Sequence, residues 1–179
     1  MKRSEHGFSL IELIIAMCIV FALLAMATPY AIGWLRGAKY REAAGGIVGV
    51  LREARNTAIA RNRECRVEFD VDGDGRRWRV MLGNLAYGST SFGVLRDWNT
   101  GELKDYIVLR GDTDCAGTDD VNLVFNPNGT VAVIAGKPTD PANPDYPYSI
   151  CVMDSASSPV VQKQRVRIMS LTTGRIQVD

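Results

Sequence analysis

An aspartate-rich stretch, DVDGDG, has the residue types and the spacing of a calcium loop. Asp70, Asp72 and Asp74 followed by Gly75 match the first half of an EF-hand loop, in which alternate residues supply oxygen ligands around a tight turn. The same loop needs a bidentate acid at its twelfth position, and that position holds Met81. We therefore interpret the stretch as a polar hairpin turn, and the three aspartates remain weak candidates for calcium binding.

A single carboxylate, Glu12, interrupts the apolar sequence HGFSLIELIIAM. No charged residue follows it until Arg36, and roughly 20 apolar residues suffice for a helix to cross a bilayer. An acid inside such a helix costs roughly 2.5 to 3.5 kcal/mol on insertion scales and indicates a functional position. A side chain that merely reaches the membrane interface is the alternative interpretation of Glu12.

Two ordinary interpretations of this N-terminus are a secretory signal peptide and a plain membrane anchor. Lys2 and Arg3 would suit the basic n-region of a signal peptide, but the apolar stretch is too long for an h-region. It also reaches Pro29 and Trp34 without an Ala-x-Ala cleavage site. A plain anchor explains the length of the stretch but gives no reason for Glu12.

The N-terminal stretch resembles the signature of type IV prepilins. In that family a short basic leader ends in Gly, the next residue is usually Phe, and Glu occupies the fifth mature position; Gly7, Phe8 and Glu12 match these positions. Pro29 falls at the twenty-second mature position, where many members also carry proline. The resemblance implies that prepilin peptidase cleaves between Gly7 and Phe8 and methylates the Phe8 amine. Since cleavage removes His6, the only histidine, we expect no histidine-based catalytic site, no zinc site and no enzyme activity.

The resemblance also gives Glu12 a physical role. A buried carboxylate becomes tolerable when it is paired with an opposite charge. The new amine of Phe8 cannot easily reach the fifth residue of its own helix, whereas the amine of a neighbouring subunit can. We expect this pairing to drive assembly and to set the register between subunits.

The implied partners and location follow from the same family. We expect other major and minor pilins or pseudopilins, prepilin peptidase and an inner-membrane assembly platform as partners, and no cofactor. Arg36, Lys39 and Arg41 compete with Lys2 and Arg3 under the positive-inside rule. The cleavage motif, which must face the cytoplasm, therefore decides the orientation: a single pass through the bacterial inner membrane, with the C-terminal domain in the periplasm.

Two later stretches resemble the minor pseudopilins of GspH and FimT type, namely LVFNPNGTV and the terminal TTGRIQV. This resemblance implies a structural subunit of a type IV pilus or of a type II secretion pseudopilus. The alternative is a DNA-binding competence pilin of FimT type, because some such pilins bind DNA through a C-terminal Gly-Arg-x-Arg element. Arg175 matches the first arginine, Gln177 replaces the second, and Arg165 and Arg167 could line the same sheet face. The formal net charge of +1 gives no long-range attraction to DNA.

Three of the four cysteines are expected outside the membrane, and three thiols permit one disulfide. Cys18 lies in the predicted membrane helix, whereas Cys65, Cys115 and Cys151 should reach an oxidising compartment in which disulfides persist. Cys65 shares a strand face with apolar residues and is expected to be a buried free thiol. Cys151 lies between two apolar residues of a late strand and should point away from the core, toward the loop that carries Cys115. We therefore predict a Cys115–Cys151 bond, with a bond that uses Cys65 as the alternative.

The elements that must position these residues are a long helix and a series of short strands. Beyond the membrane, an apolar stripe recurs at helical spacing over Tyr40, Ala44, Ile47, Leu51, Ala54 and Ala58. From residue 64 the period changes to two, which predicts strands at Cys65–Phe69, Trp78–Leu82, Tyr106–Arg110, Val121–Phe125, Val131–Ala135, Tyr148–Met153, Arg165–Leu171 and Arg175–Val178. The pattern predicts an α+β, pilin-like fold in which the long N-terminal helix packs on an antiparallel β-sheet domain. The predicted parts are a leader at 1–7, a membrane helix at 8–35, the amphipathic half of the helix at 36–63 and a β-rich domain at 64–179.

Overall fold

The computed structural model divides the chain into two compact units, Met1–Ala38 and Lys39–Asp179. It describes residues 9–71, 76–98, 103–111, 115, 117, 120–133, 148–170 and 175–179. Gly7 and Phe8, at the predicted cleavage site, lie outside the described residues, as do Asp72 and Asp74 of the aspartate-rich stretch.

Helix α1 spans Leu10–Arg61, a length of 52 residues. In the first unit its apolar side chains are exposed, and among the described residues α1 is the one helix that is long and apolar enough to cross a membrane. The Thr28 hydroxyl has a hydrogen-bond partner inside the helix, because Oγ1 donates to the carbonyl oxygen of Leu24 at 2.8 Å. Pro29 also lies within the helix and has no N–H to donate.

In the second unit, one face of α1 is buried. The apolar stripe predicted from the sequence is confirmed, since all six of its members are at most 4% exposed. Several of these positions are alanine, and such small side chains let the sheets approach the helix backbone closely. The buried helix face and the inner faces of the strands belong to a single hydrophobic cluster.

The part of the chain described after the helix forms nine strands: β1 Cys65–Asp70, β2 Arg77–Gly83, β3 Phe92–Arg96, β4 Ile107–Gly111, β5 Val121–Phe125, β6 Val131–Val133, β7 Tyr148–Asp154, β8 Val161–Ser170 and β9 Arg175–Val178. They form two antiparallel sheets, one with the order β3-β2-β1-β5-β6 and the other with the order β4-β7-β8-β9. The α+β prediction is confirmed, with two sheets where the sequence suggested one.

Strand β3 has no counterpart in the sequence-based prediction. Its residues, FGVLR, include a glycine and lack the alternation of apolar and polar residues that indicates a half-buried strand. The structure gives the reason, since four of the five residues are exposed and β3 is an edge strand. Pairing with β2, rather than burial of one face, makes this segment a strand.

Candidate functional site

Glu12 occupies the first turn of α1. Its side chain is exposed, and within the described part of the chain it forms no hydrogen bond or ion pair. The first turn of a helix is a favourable place for a carboxylate, because the N-terminal N–H groups carry partial positive charge. Large apolar side chains follow it along the same helix and remain exposed, among them Ile15, Phe21 and Leu24. The candidate assembly site is therefore Glu12 together with the exposed apolar side chains that follow it along the helix.

Cys115 and Cys151 form the predicted disulfide, so that prediction is confirmed. Ile150 and Val152 face the main core, while Cys151 joins a small second cluster with Cys115, Met153 and the partly buried Val108. The alternation that placed Cys151 on the opposite face of β7 is therefore correct. The bond attaches Cys115 to β7, an inner strand of the second sheet.

Cys65 is a buried free thiol, as predicted. Its side chain lies on the inner face of β1 with Val67 and Phe69, in the main hydrophobic cluster. Burial raises the pKa of the Cys65 thiol to about 12, and the nearby Glu53 carboxylate acts in the same direction. The thiolate that would attack a disulfide is therefore disfavoured, and Cys65 acts as a small apolar core residue.

The Asp70 carboxylate forms an ion pair with an arginine of the neighbouring strand β2. It is buried, and Arg77 on β2 donates to its Oδ2 from Nε at 3.0 Å and from Nη2 at 2.5 Å. The charge of this carboxylate is already balanced by the guanidinium, without a metal ion. Among the described residues no group of three potential metal ligands is assembled. The polar-turn interpretation stays a prediction with calcium binding as its alternative, and Asp70 contributes to the hairpin of β1 and β2.

Arg165 and Arg167 lie two residues apart on β8 and share one face of the second sheet, opposite Cys151 and Ser149 of β7. The Arg167 guanidinium pairs with the Asp179 carboxylate at 2.8 Å. Arg165 donates from Nη2 to Oε1 of Gln162 at 3.1 Å. Arg175 lies at the start of β9 and is exposed.

This arrangement gives each of the three arginines a structural explanation. Arg167 and Arg165 are held by neighbouring side chains, and Arg175 occupies an exposed position on an edge strand. The β9 pairing brings the C-terminal segment next to β8, where the backbones of Arg165 and Asp179 exchange two hydrogen bonds. DNA binding through these arginines stays the untested alternative.

A polar cluster that the sequence did not reveal surrounds Asp154 at the end of β7. The Asp154 carboxylate accepts hydrogen bonds from the Ala156 N–H at 3.0 Å and from Ser157 Oγ at 2.9 Å, and Lys163 Nζ lies 4.0 Å away. Burial is the largest single influence and opposes ionisation, but the nearby Tyr40 hydroxyl, the hydrogen bonds from Ser157 and Ala156, and Lys163 together outweigh it. The pKa of Asp154 is therefore lowered.

Glu64 organises the loop after β2, and sequence reasoning also missed this role. Its buried carboxylate accepts the N–H groups of Gly88 and Ser89, each at 2.7 Å. Its backbone N–H donates to the carbonyl oxygen of Leu85, and its carbonyl oxygen accepts from the N–H of Gly83. The loop leads into β3, so Glu64 fixes the position of that strand relative to the end of α1. The residues around Gly88 indicate a turn in the sequence. No local pattern, however, shows that the N–H groups of this turn bind the carboxylate of Glu64.

The chain has a membrane-length apolar helix segment with one acid in its first turn, and antiparallel sheets cover one face of the later part of α1. This is the architecture of a pilin-like protein. The family model described as "Type II transport protein GspH" matches residues 43–157, and the model described as "Prokaryotic N-terminal methylation motif" matches residues 2–28. The first match covers more than half of the chain, so the chain belongs to the GspH family. It is a minor pilin or pseudopilin.

Two solved structures share the fold. The type IV minor pilin FimU of Pseudomonas aeruginosa is 19% identical, with a TM-score of 0.52 over 79% of this chain and 89% of that chain. The minor pseudopilin EpsH of the type 2 secretion system of Vibrio cholerae is 16% identical, with a TM-score of 0.50 over 79% of this chain and 96% of that chain. No curated protein sequence matches the chain.

Proposed function

We infer that this chain is a minor structural subunit that a filament-assembly machine inserts into a type IV pilus or a type II secretion pseudopilus. The observation that carries the proposal is the exposed apolar helix of the first unit, with Glu12 as the one charged residue in its first turn. A helix with so much exposed apolar surface requires a membrane or other apolar helices around it. A subunit that moves from the membrane into a filament core meets both environments in turn.

Maturation is proposed to create the partner of Glu12. Cleavage between Gly7 and Phe8 by prepilin peptidase would free the Phe8 amine, and methylation of that amine would leave its positive charge in place. The match of the methylation-motif model to residues 2–28 supports this step. In the membrane Glu12 lacks a charged partner, and a neighbouring subunit would supply one. A hydrogen bond between charged groups contributes roughly 1.5 to 3 kcal/mol, which favours the staggered arrangement over unpaired alternatives.

The second unit is proposed to face the periplasm. The Cys115–Cys151 disulfide supports this orientation, because disulfides persist in oxidising compartments and are rare in the bacterial cytoplasm. The proposed partners are therefore other pilins or pseudopilins along the helix, prepilin peptidase at the cytoplasmic face and the inner-membrane assembly platform.

Intact-mass measurement of the purified protein tests the proposal. From cells that contain prepilin peptidase, the protein should begin at a methylated Phe8; from peptidase-deficient cells, it should retain residues 1–7 and remain in the membrane fraction. The same cells should contain the mature chain in sheared filaments only when the peptidase is present. A full-length, unmethylated chain in filaments would contradict the proposed maturation.

A further inference from the structure

The edge strand β3 leaves main-chain groups available for pairing. It forms hydrogen bonds with β2 on one side, and no other described strand pairs with it on the other. Its central residue, Val94, is 56% exposed, and Leu95 is 37% exposed. An exposed apolar edge strand is a template for pairing with another chain unless something covers it. A register shift between Val80 and Met81 leaves Leu95 as the extra residue, so the edge before Leu95 remains regular.

A groove of about 330 Å³ lies over the β2–β3 pair, next to the end of α1. Leu82, Gly93 and Leu95 contribute apolar surface to it, and Arg61 and Arg63 border it. Gly93 leaves the groove open, because a Cβ built on this residue would meet no atom within 4 Å. The backbone of Gly93 therefore tolerates a side chain, and the residue contributes space to the groove.

The charged side chains that line the groove are both positive. Arg61 and Arg63 are exposed, and neither side chain forms a hydrogen bond or ion pair within the described residues. No carboxylate lines the groove. The acids close to it are already engaged, since Glu53 pairs with Arg96 at 3.3 Å and Glu64 accepts the N–H groups of Gly88 and Ser89. Two unpaired guanidinium groups beside an apolar floor suit carboxylates, which arginine can bind through two parallel hydrogen bonds.

We propose that β3 and this groove form a docking site for an extended acidic segment of a different pilin-like subunit. The segment adds a strand to the free edge of β3. Because side chains of a strand alternate between its two faces, every second residue of the segment points into the groove. An apolar residue fills the space at Gly93, and an Asp or Glu residue along the segment pairs with Arg61 or Arg63. This partner assignment rests on the proposed function, because it takes the partner from the same filament.

The ordinary explanation of Arg61 is that a basic residue in the last turn of α1 interacts favourably with the helix dipole. That explanation does not account for Arg63, which lies beyond the helix, or for the unfilled space at Gly93. The docking site accounts for all three features.

Photo-cross-linking in the full-length chain tests the proposal. Benzoylphenylalanine replaces Leu95, the chain is expressed with its own filament system, and cross-linked peptides from sheared filaments are identified by mass spectrometry. The expected product joins position 95 to an extended, acid-containing segment of another pilin or pseudopilin. The double variant Arg61→Glu/Arg63→Glu should reduce its yield at least about tenfold, since charge-assisted hydrogen bonds are lost and like charges are introduced.

Two further variants separate docking from folding. Gly93→Val places a branched side chain in the groove at a position where a Cβ meets no atom within 4 Å, so it should also reduce the cross-link while the thermal unfolding midpoint stays close to that of the parent protein. Arg175→Glu reverses an exposed arginine on the other sheet and should leave the yield unchanged. A cross-link to a second copy of this chain, to nucleic acid or to a segment without acids overturns the proposal, as does a yield that the charge reversal leaves intact. If the chain enters filaments without any cross-link at position 95, docking is wrong and the filament function stands; if the parent chain never enters filaments, the proposed function fails.

Discussion

Cys115 and Cys151 are joined by a disulfide that spans 36 residues of sequence, with the two Cα atoms 5.7 Å apart. Cys151 is fully buried at the centre of β7, whereas Cys115 belongs to a segment whose described residues form only an isolated bridge between Gly111 and Gly117. Cys115 also has a positive φ of 65°, which is uncommon for a residue with a side chain. The covalent bond therefore fixes Cys115, in this uncommon backbone conformation, to an inner strand of the second sheet.

Removal of the disulfide should lower the free energy of unfolding. The loop-closure model predicts a loss of roughly 3 to 4 kcal/mol for a loop of this length. The Cys115→Ala/Cys151→Ala variant of the detergent-solubilised chain should therefore unfold at a lower urea concentration than the parent protein. Cys18→Ala, which changes an exposed cysteine of the first unit, serves as the matched control. Equal urea midpoints for the double variant and the control would show that the disulfide adds no stability.

Substitution of Gly7 should stop maturation. Gly7→Leu places a bulky side chain directly before the predicted scissile bond, so the peptidase should leave the leader in place. Intact mass and a membrane-fractionation immunoblot then report an uncleaved, membrane-held precursor. Gly45→Ala is a matched control, because a Cβ at Gly45 meets no atom within 4 Å and the position lies far along α1. Normal processing of Gly7→Leu would contradict the prepilin interpretation.

Substitution of Glu12 should separate cleavage from assembly. Glu12→Ala keeps the cleavage site, so the mature mass should appear, but it removes the carboxylate that would pair with a neighbouring amine. Loss of a charge-assisted hydrogen bond of roughly 1.5 to 3 kcal/mol predicts at least about a tenfold decrease in the filament-bound fraction. Glu42→Ala removes an exposed acid from the same helix and should assemble normally. If Glu12→Ala enters filaments as well as Glu42→Ala does, the charge-pairing account is wrong.

The sequence predicts the parts of this fold that have their own periodicity. The helix stripe from Tyr40 to Ala58 is confirmed because burial on one helix face forces apolar residues into a spacing of three and four. The strands Val121–Phe125 and Arg175–Val178 have the predicted bounds. The Cys115–Cys151 pairing also followed from alternation along β7, since a residue between two core residues must point to the other face.

Other features depend on contacts that no local pattern encodes. Glu64 resembles an ordinary solvent-exposed acid in the sequence, yet it is buried because Gly88 and Ser89 bring their N–H groups to it from a distant loop. Strand β3 has no buried face to impose alternation, so only its pairing with β2 identifies it. The division into two sheets likewise could not be predicted from the sequence, because alternation shows which face of a strand is buried but not which strands are neighbours.

The arginines of the second sheet should not confer DNA binding under physiological conditions. Arg167 is already paired with Asp179, and the formal net charge of +1 supplies little long-range attraction. The full chain should therefore leave the mobility of a DNA duplex unchanged at about 0.15 M ionic strength. A mobility shift that Arg165→Ala/Arg175→Ala abolishes, and that the exposed helix variant Arg52→Ala retains, would instead support the competence-pilin alternative.

The hydrogen bonds at Asp154 should make stability depend on acid pH. Because the folded-state pKa of Asp154 is lowered, its contribution is fully present above the unfolded-state pKa of about 3.9 and is lost as the pH falls through the folded-state value. The free energy of unfolding, measured with urea on the detergent-solubilised chain, should therefore decrease below about pH 4. Asp154→Asn should flatten this decrease, and Ser157→Ala, which removes one donor to the carboxylate, should flatten it in part. Ser155→Ala is the control, because its hydroxyl donates to the carbonyl oxygen of Asp105 and not to Asp154. An acid decrease that is equally steep in all four proteins would show that Asp154 is not the group responsible.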